Sequence, residues 1–217
     1  MSDQRQNFYT IVHKGIRRQL SEVLTLAGTI DFEDARQRQL FSDRFDALAG
    51  MLEAHAHHED KHIGPFIERA AAELNRRIVA THHVLEDTME EMQGILALIH
   101  REPHRARVLG YNLYLAFARY AATQFDHMHE EESAVMGALW SAFDDATLDD
   151  IHKAVLADIP PQEMSVWLSW MVPSMTPPEQ QGMIADMKKG APPQVLSFVE
   201  QLAAKGQGER ESRLQAA

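Results

Sequence analysis

The sequence predicts an all-α protein, in which an up-down-up-down four-helix bundle over residues 1–143 precedes a helical extension over 144–205 and a flexible tail over 206–217. Apolar residues recur at intervals of three and four along most of the 217-residue chain, the spacing that lines one face of an α-helix. Almost no stretch alternates between apolar and polar residues in the manner of a strand. With 45% hydrophobic and 24% charged residues, a folded core is expected.

The composition narrows the classes of function. The chain contains no cysteine, which excludes disulfides, thiolate nucleophiles and thiolate-bound metals and leaves nitrogen and oxygen as metal ligands. The net charge is −11 and no basic cluster is present, so neither a nucleic acid nor a membrane partner is expected. The first ten residues lack an apolar signal core, and no segment approaches the roughly 18 apolar residues of a membrane span. We therefore expect a cytoplasmic protein.

The first two predicted helices each carry candidate metal ligands. The first helix covers about 8–28, and His13 lies beside its apolar stripe. The stripe of the second helix extends from Phe41 to Phe66 and includes His55 and Glu59. These two side chains are four positions apart, so they share the inner face of the helix.

The next two helices supply the remaining candidates. Gly64-Pro65 is expected to kink the second helix, because proline lacks a backbone N–H and clashes with the preceding turn. A turn near 73–75 then leads to the third helix, whose stripe over 78–99 includes His82. The fourth helix ends near Trp140 and repeats the H-x-x-x-E spacing at 127–131.

Bundle geometry brings these candidates to one height. In an up-down-up-down bundle, residues early in the first and third helices lie at the same end as residues late in the second and fourth. The six residues that meet this condition are His13, His55, Glu59, His82, His127 and Glu131. Imidazoles and carboxylates together suit iron, manganese, zinc or copper, so the sequence predicts a metal site in the bundle.

The extension is predicted to contain shorter helices, over 148–157, 162–172, 177–189 and 193–204. The third of these begins at Thr176-Pro-Pro-Glu179, a capping-box pattern combined with proline at the helix start. Their apolar faces are expected to pack on the bundle or on a second subunit. A homodimer formed through these helices is one expectation.

Residues 58–62 also spell H-E-x-x-H, a zinc-protease pattern in which the glutamate acts as a base. A zinc metalloprotease that uses His58, Glu59 and His62 is therefore a remote alternative, although Gly64-Pro65 interrupts the motif helix and no strand edges a cleft. A ferritin-like site would need the Glu-x-x-His unit on two helices, and the chain has one. His62, His83 and Glu86 remain additional candidate metal residues.

Four segments together resemble the hemerythrin-like family, whose HHE cation-binding domain has an early histidine, two H-x-x-x-E units and a histidine between them. The matching segments, within about residues 8–140, are HKGIR at 13–17, HAHHEDKHIGP at 55–65, HHVL at 82–85 and HMHEEESAV at 127–135. The resemblance implies a non-haem di-iron centre, with an oxo or hydroxo bridge, held in a four-helix bundle. It makes His13, His55, His82 and His127 the terminal ligands and Glu59 and Glu131 the bridging ligands.

The chain departs from the oxygen-carrying hemerythrins on two helices. Those proteins have H-x-x-x-H on the third helix and H-x-x-x-x-D on the fourth, whereas here Glu86 follows His82 and Glu131 follows His127. The pattern is closer to members that sense iron or oxygen, respond to nitric oxide or repair iron centres.

We therefore expect a protein that binds or senses O2 or NO, or responds to iron and redox state, without turning over an organic substrate. The alternatives are a di-iron enzyme that acts as an oxidase or consumes peroxide or NO, an iron storage or repair protein, and a scaffold that binds no metal. Another divalent metal in place of iron is a further alternative.

Two neighbouring histidines distinguish the di-iron interpretation from the zinc-protease interpretation. His55→Ala should remove much more of the bound iron than His58→Ala, because His55 is paired with Glu59 at the repeated spacing. Elemental analysis of the two purified variants measures this difference. The opposite order would favour the H-E-x-x-H site.

Overall fold

A computed structural model describes residues 5–216 of the chain. Its α-helices are α1 (Thr10–Thr29), α2 (Ala35–His58), α3 (Gly64–Arg101), α4 (Ala106–Glu130), α5 (Met136–Ala142), α6 (Asp145–Asp158), α7 (Pro161–Ser174), α8 (Pro177–Met187) and α9 (Pro193–Ala216). A 3₁₀ turn at Pro103–Arg105 separates α3 from α4. Residues 5–216 contain no strand, so the all-α prediction is confirmed, while the four-helix topology stays a prediction.

The chain divides into two compact units. Within the described residues, the first unit contains 5–7 and 19–158, and the second contains 8–18 and 159–216. This division differs from the predicted boundary between 143 and 144. In α6, Leu148 and Ile151 are buried, and α6 contacts the turn that follows α2, so this helix belongs with the first unit.

A chain of aromatic rings forms part of the first unit's core and joins α2 to α4. Phe32 contacts Phe41 at a centroid distance of 5.2 Å, and Phe41 stacks on Phe45 at 5.7 Å. Phe45 contacts Phe117 at 6.0 Å, and Phe117 stacks on Tyr120 at 6.1 Å. All five rings are buried, and burial of each contributes about 1.5–3 kcal/mol. This packing fixes the α2 and α4 segments that precede the two H-x-x-x-E units.

Each H-x-x-x-E unit ends in a π-helical turn, which the sequence analysis did not predict. The turns cover Glu59–Ile63 after α2 and Glu131–Val135 after α4, so the motif glutamate is the first residue of both. The N–H of Gly64 donates to the Glu59 carbonyl, and the N–H of Met136 donates to the Glu131 carbonyl. This i to i+5 bonding widens the helix by one residue, a change common at functional sites.

The predicted kink at Gly64-Pro65 is replaced by a π turn that ends just before it. Gly64 has helical angles, φ −46° and ψ −48°, and Pro65 lies in the first turn of α3. Proline makes no N–H bond and crowds the carbonyl four residues earlier, so a widened turn before it relieves that conflict. The chain instead breaks at Ala71, φ −159° and ψ 75°, close to the turn predicted at 73–75.

The second unit has its own apolar core and contains the capping box predicted from the sequence. Leu168, Val172, Met175 and Val199 form the buried cluster, and Thr176 and Glu179 form the predicted capping box.

The last helix, α9, continues to Ala216, through residues predicted to form a loose tail. Side-chain contacts hold this part of the helix: Glu209 pairs with Arg18 at 2.6 Å, and Arg210 donates to the Met175 carbonyl at 3.1 Å. Gly206 is also packed so closely on Pro173 that an added Cβ would lie 2.7 Å from its Cα.

A membrane-spanning helix is not found between residues 5 and 216, since none of their helices combines sufficient length with sufficient apolar character.

Two helical glycines provide a test of this packing. In Gly110→Ala the new Cβ would collide with the buried Phe32 ring, so the free energy of unfolding should fall by about 1–3 kcal/mol. At Gly94 an added Cβ would meet open space, so Gly94→Ala should raise it by about 0.5–1 kcal/mol. Urea unfolding of both variants measures the difference. Equal effects would contradict the Phe32 contact.

Candidate metal centre

Five of the six predicted ligands lie in the first unit and form one buried cluster. His55 lies near the end of α2, His82 in α3 and His127 near the end of α4. Glu59 and Glu131 open the two π turns. None of the five is more than 8% exposed. The structure therefore brings the two H-x-x-x-E units together with the histidine between them in sequence.

The distances in this cluster are those of donor atoms that face a common centre. The His55 Nε2 lies 3.0 Å from Glu59 Oε1, and the His127 Nε2 lies 3.2 Å from Glu131 Oε1. The His82 Nε2 lies 3.6 Å from Glu59 Oε2 and 3.7 Å from Glu131 Oε1. One ligand atom from each of Glu59, His82, His127 and Glu131 falls within 4.8 Å of the others. His82 thus lies between the two carboxylates.

Asp60 orients the His82 ring. Its Oδ1 accepts a hydrogen bond from His82 Nδ1 at 3.0 Å, which leaves Nε2 directed at Glu59 and Glu131. Histidines that bind metals commonly donate their other ring N–H to a carboxylate in this way, which fixes the tautomer and makes the ligand nitrogen more basic.

The cluster requires positive charge. Burial by itself lowers the pKa of His82, but the carboxylates of Asp60, Glu131 and Glu59 outweigh burial and raise that pKa to about 12. Two buried carboxylates are costly without a compensating cation. A proton on His82 supplies part of that charge in the metal-free chain, and a metal ion would replace it.

The second imidazole has a different environment. His127 Nε2 lies 3.0 Å from His82 Nε2, with the two rings at 76° to one another, so at most one proton can occupy the gap between them. The Nδ1 of His127 is buried and makes no hydrogen bond to the described residues. In the metal-free chain this proton can be shared by the two rings, and neutral imidazoles can both bind a metal ion instead.

A cavity of about 340 Å³ opens beside the cluster and is lined by residues of α2, α3 and α4. Leu85 and Met89 form part of its apolar wall, and Tyr120 and Gln124 provide buried polar groups. Burial raises the pKa of the Tyr120 phenol well above its usual range, so this phenol stays protonated and can donate a hydrogen bond. Exposed residues at the cavity include Glu53, Glu86 and Glu90.

The remaining sequence candidates are His13, His62, His83 and Glu86. His13 is buried in the part of α1 that belongs to the second unit, and its ring stacks on Tyr9 at 5.1 Å, so its role as a ligand stays a prediction. The exposed His83 ring lies 3.4 Å from Glu86. His62 is not in the cluster, because its Nε2 lies 3.0 Å from Asp158 Oδ2.

The placement of Glu59 argues against the zinc-protease alternative. Its carboxylate faces His55 and His82, so it is not positioned as a base for a metal held by His58 and His62. Sequence reasoning also missed Asp60 as the partner of His82 and Asp158 as the partner of His62. Asp60 was visible as an acidic residue after the motif glutamate, whereas nothing in the sequence links Asp158 to residues 96 positions earlier.

These observations define a helical protein with a buried histidine and carboxylate cluster suited to cations. The model of the hemerythrin HHE cation-binding domain matches residues 7–139, and the chain belongs to this family. No curated protein and no solved structure matches the chain.

The raised pKa of His82 makes the stability of the metal-free protein depend on pH. Above the ordinary histidine pKa of 6.5 the unfolded chain loses this proton while the folded chain keeps it up to about pH 12. The free energy of unfolding should therefore fall by up to about 1.4 kcal/mol per pH unit as the pH rises from 7 to 9. Urea unfolding of the chelator-treated protein at several pH values measures the slope.

Asp60→Asn provides the matched variant for this measurement. It removes the charge beside His82 Nδ1, so the pKa of His82 should fall and the decline with pH should begin to level off sooner. Because the wild-type decline continues to about pH 12, pH profiles of the two proteins that stay identical up to that pH would contradict the role assigned to Asp60.

Proposed function

We propose that the cluster holds two iron ions and that the protein binds or senses a small diatomic molecule such as O2 or NO, or responds to iron and redox state. The main support is the position of Glu59, whose two oxygens face two different histidines: Oε1 faces His55 and Oε2 faces His82. A carboxylate placed between two imidazoles is suited to bridging two cations. We also propose that the helices around the cluster form the four-helix bundle of the family.

The second carboxylate supports the same arrangement. Glu131 Oε1 lies near both His127 and His82, so two imidazoles share one oxygen of this glutamate and its other oxygen could face a second ion. Two carboxylates offset part of the charge of two divalent ions, and neutral imidazoles complete the set with the nitrogen donors that iron accepts. His13 would be a further terminal ligand, as the family resemblance implies.

The surroundings favour a small ligand. Bound there, a pair of iron ions would offer an open coordination position and redox chemistry to O2 or NO. The cavity beside the cluster would be the path to that position, with an apolar wall at Leu85 and Met89. Tyr120 and Gln124 supply polar groups at the same cavity. A di-iron enzyme would use the same residues. It differs from a binding or sensing protein in that it consumes its substrate continuously. A homodimer and a cytoplasmic location remain sequence-based expectations.

Metal content tests this proposal. After anaerobic reconstitution with ferrous iron, the wild-type protein should hold about two iron ions per chain, as in other di-iron carboxylate bundles. Glu59→Ala and Glu131→Ala should each lose most of this iron, because the bridging group is removed. Glu86→Ala is the matched control: it lies at the same cavity but is exposed, and it should keep the wild-type iron content.

The reaction with small ligands completes the test. Reversible, stoichiometric changes in the absorption spectrum on adding O2 or NO would support binding or sensing, whereas continuous consumption with an electron donor would identify an enzyme. A wild-type protein that retains no transition metal, or full iron content in both bridge variants, would contradict the di-iron proposal.

A further inference from the structure

A second group of potential metal ligands lies beside the turn that provides Glu59. It contains His58, the last residue of α2, His62 in the following π turn, and Asp158, the last residue of α6. One ligand atom from each residue falls within 4.8 Å of the others. This group lies wholly in the first unit and shares no residue with the cluster around His82.

The distances in this group are close to those between the ligands of one small metal ion. Asp158 Oδ2 lies 3.0 Å from His62 Nε2 and 3.4 Å from His58 Nδ1. Zinc binds imidazole nitrogen at about 2.0–2.1 Å and carboxylate oxygen at about 2.0–2.2 Å, so tetrahedral neighbours lie about 3.3–3.5 Å apart. The two histidine rings are nearly parallel, at 22°, with centroids 6.4 Å apart. Small side-chain movements would therefore bring the three donors around one ion.

We propose that His58, His62 and Asp158 form a second, separate metal site of the zinc type. Two imidazoles and one carboxylate are a ligand set that zinc uses when a fourth position stays open to water. His62 and Asp158 are partly exposed, with side-chain exposures of 16% and 30%, so an ion can enter from solvent. Calcium and magnesium prefer oxygen ligands throughout, and the two nitrogens make them poorer fits.

Lys61 competes with a metal for this site. Its ammonium lies 2.8 Å from Asp158 Oδ1 and 2.7 Å from Oδ2, so it neutralises the carboxylate in the metal-free chain. A divalent ion must displace this ammonium from Asp158. The Lys61 side chain is 48% exposed, so it can swing into solvent.

The site differs from that of a zinc protease in its missing base. Glu59, the second residue of H-E-x-x-H, faces His55 and His82 instead. A bound ion would join the end of α6 to the π turn after α2.

Zinc binding to the full-length protein tests this proposal. The iron-loaded protein is titrated with Zn²⁺ against a chromophoric chelator, and bound iron and zinc are both counted by elemental analysis. Wild type should bind about one zinc per chain in addition to its iron. His62→Ala and Asp158→Asn should weaken zinc binding by about tenfold or more, and the exposed His129→Ala should leave it unchanged.

Lys61→Met provides a variant whose expected effect has the opposite sign. It removes the competing ammonium and leaves all three ligand residues unchanged, so zinc should bind more tightly than in wild type. Because the two variants should shift the zinc affinity in opposite directions, one general perturbation of this turn would not explain both results.

The outcomes separate this site from the di-iron site. Glu131→Ala should lose iron and keep the zinc, so a failure of one proposal does not remove the other. Wild-type protein that binds no zinc beyond its iron site would overturn the second site. Unchanged zinc affinity in His62→Ala and Asp158→Asn, or weaker binding in Lys61→Met, would overturn it as well.

Discussion

The first unit depends on one electrostatic constraint, the burial of Glu59 and Glu131 close to the same histidine. Two carboxylates at 5% and 1% exposure can be ionised there only with a compensating positive charge. The surroundings supply it through His82, which lies between them and is held by Asp60. The contact between Phe45 and Phe117 joins α2 to α4 on the segments that precede the two glutamates.

The π turns explain how one short segment can serve two clusters. His58 and Glu59 are adjacent in sequence, yet His58 faces Asp158 and Glu59 faces His55. The wider turn then carries His62 toward the same Asp158, and Asp60 reaches His82. A geometry specialised in this way is common at functional sites in helices. Both π turns begin at the glutamate of an H-x-x-x-E unit. Proline follows only the first of them, so proline does not account for both turns.

The sequence could predict the position of site residues that repeat with helical periodicity. It could not predict the position of residues that lack this periodicity. The spacing of His55 with Glu59 and of His127 with Glu131 predicted the cluster, since residues four apart share a helix face. The same periodicity assumes an unbroken α-helix, so it missed the π turns and the Asp60 contact. Asp158 is brought to His62 by tertiary packing alone. The helical continuation of α9 depends on partners such as Arg18, far away in sequence, which local composition does not reveal.

The carboxylates around the cavity have a consequence for what can reach His82. Glu53, Glu86 and Glu90 are exposed lining residues, and the whole chain carries a net charge of −11. The resulting negative potential concentrates cations at the opening and repels anions, and it leaves neutral diatomic molecules unaffected. A charge distribution of this kind would let cations and uncharged gases approach the opening and would hold small anions back.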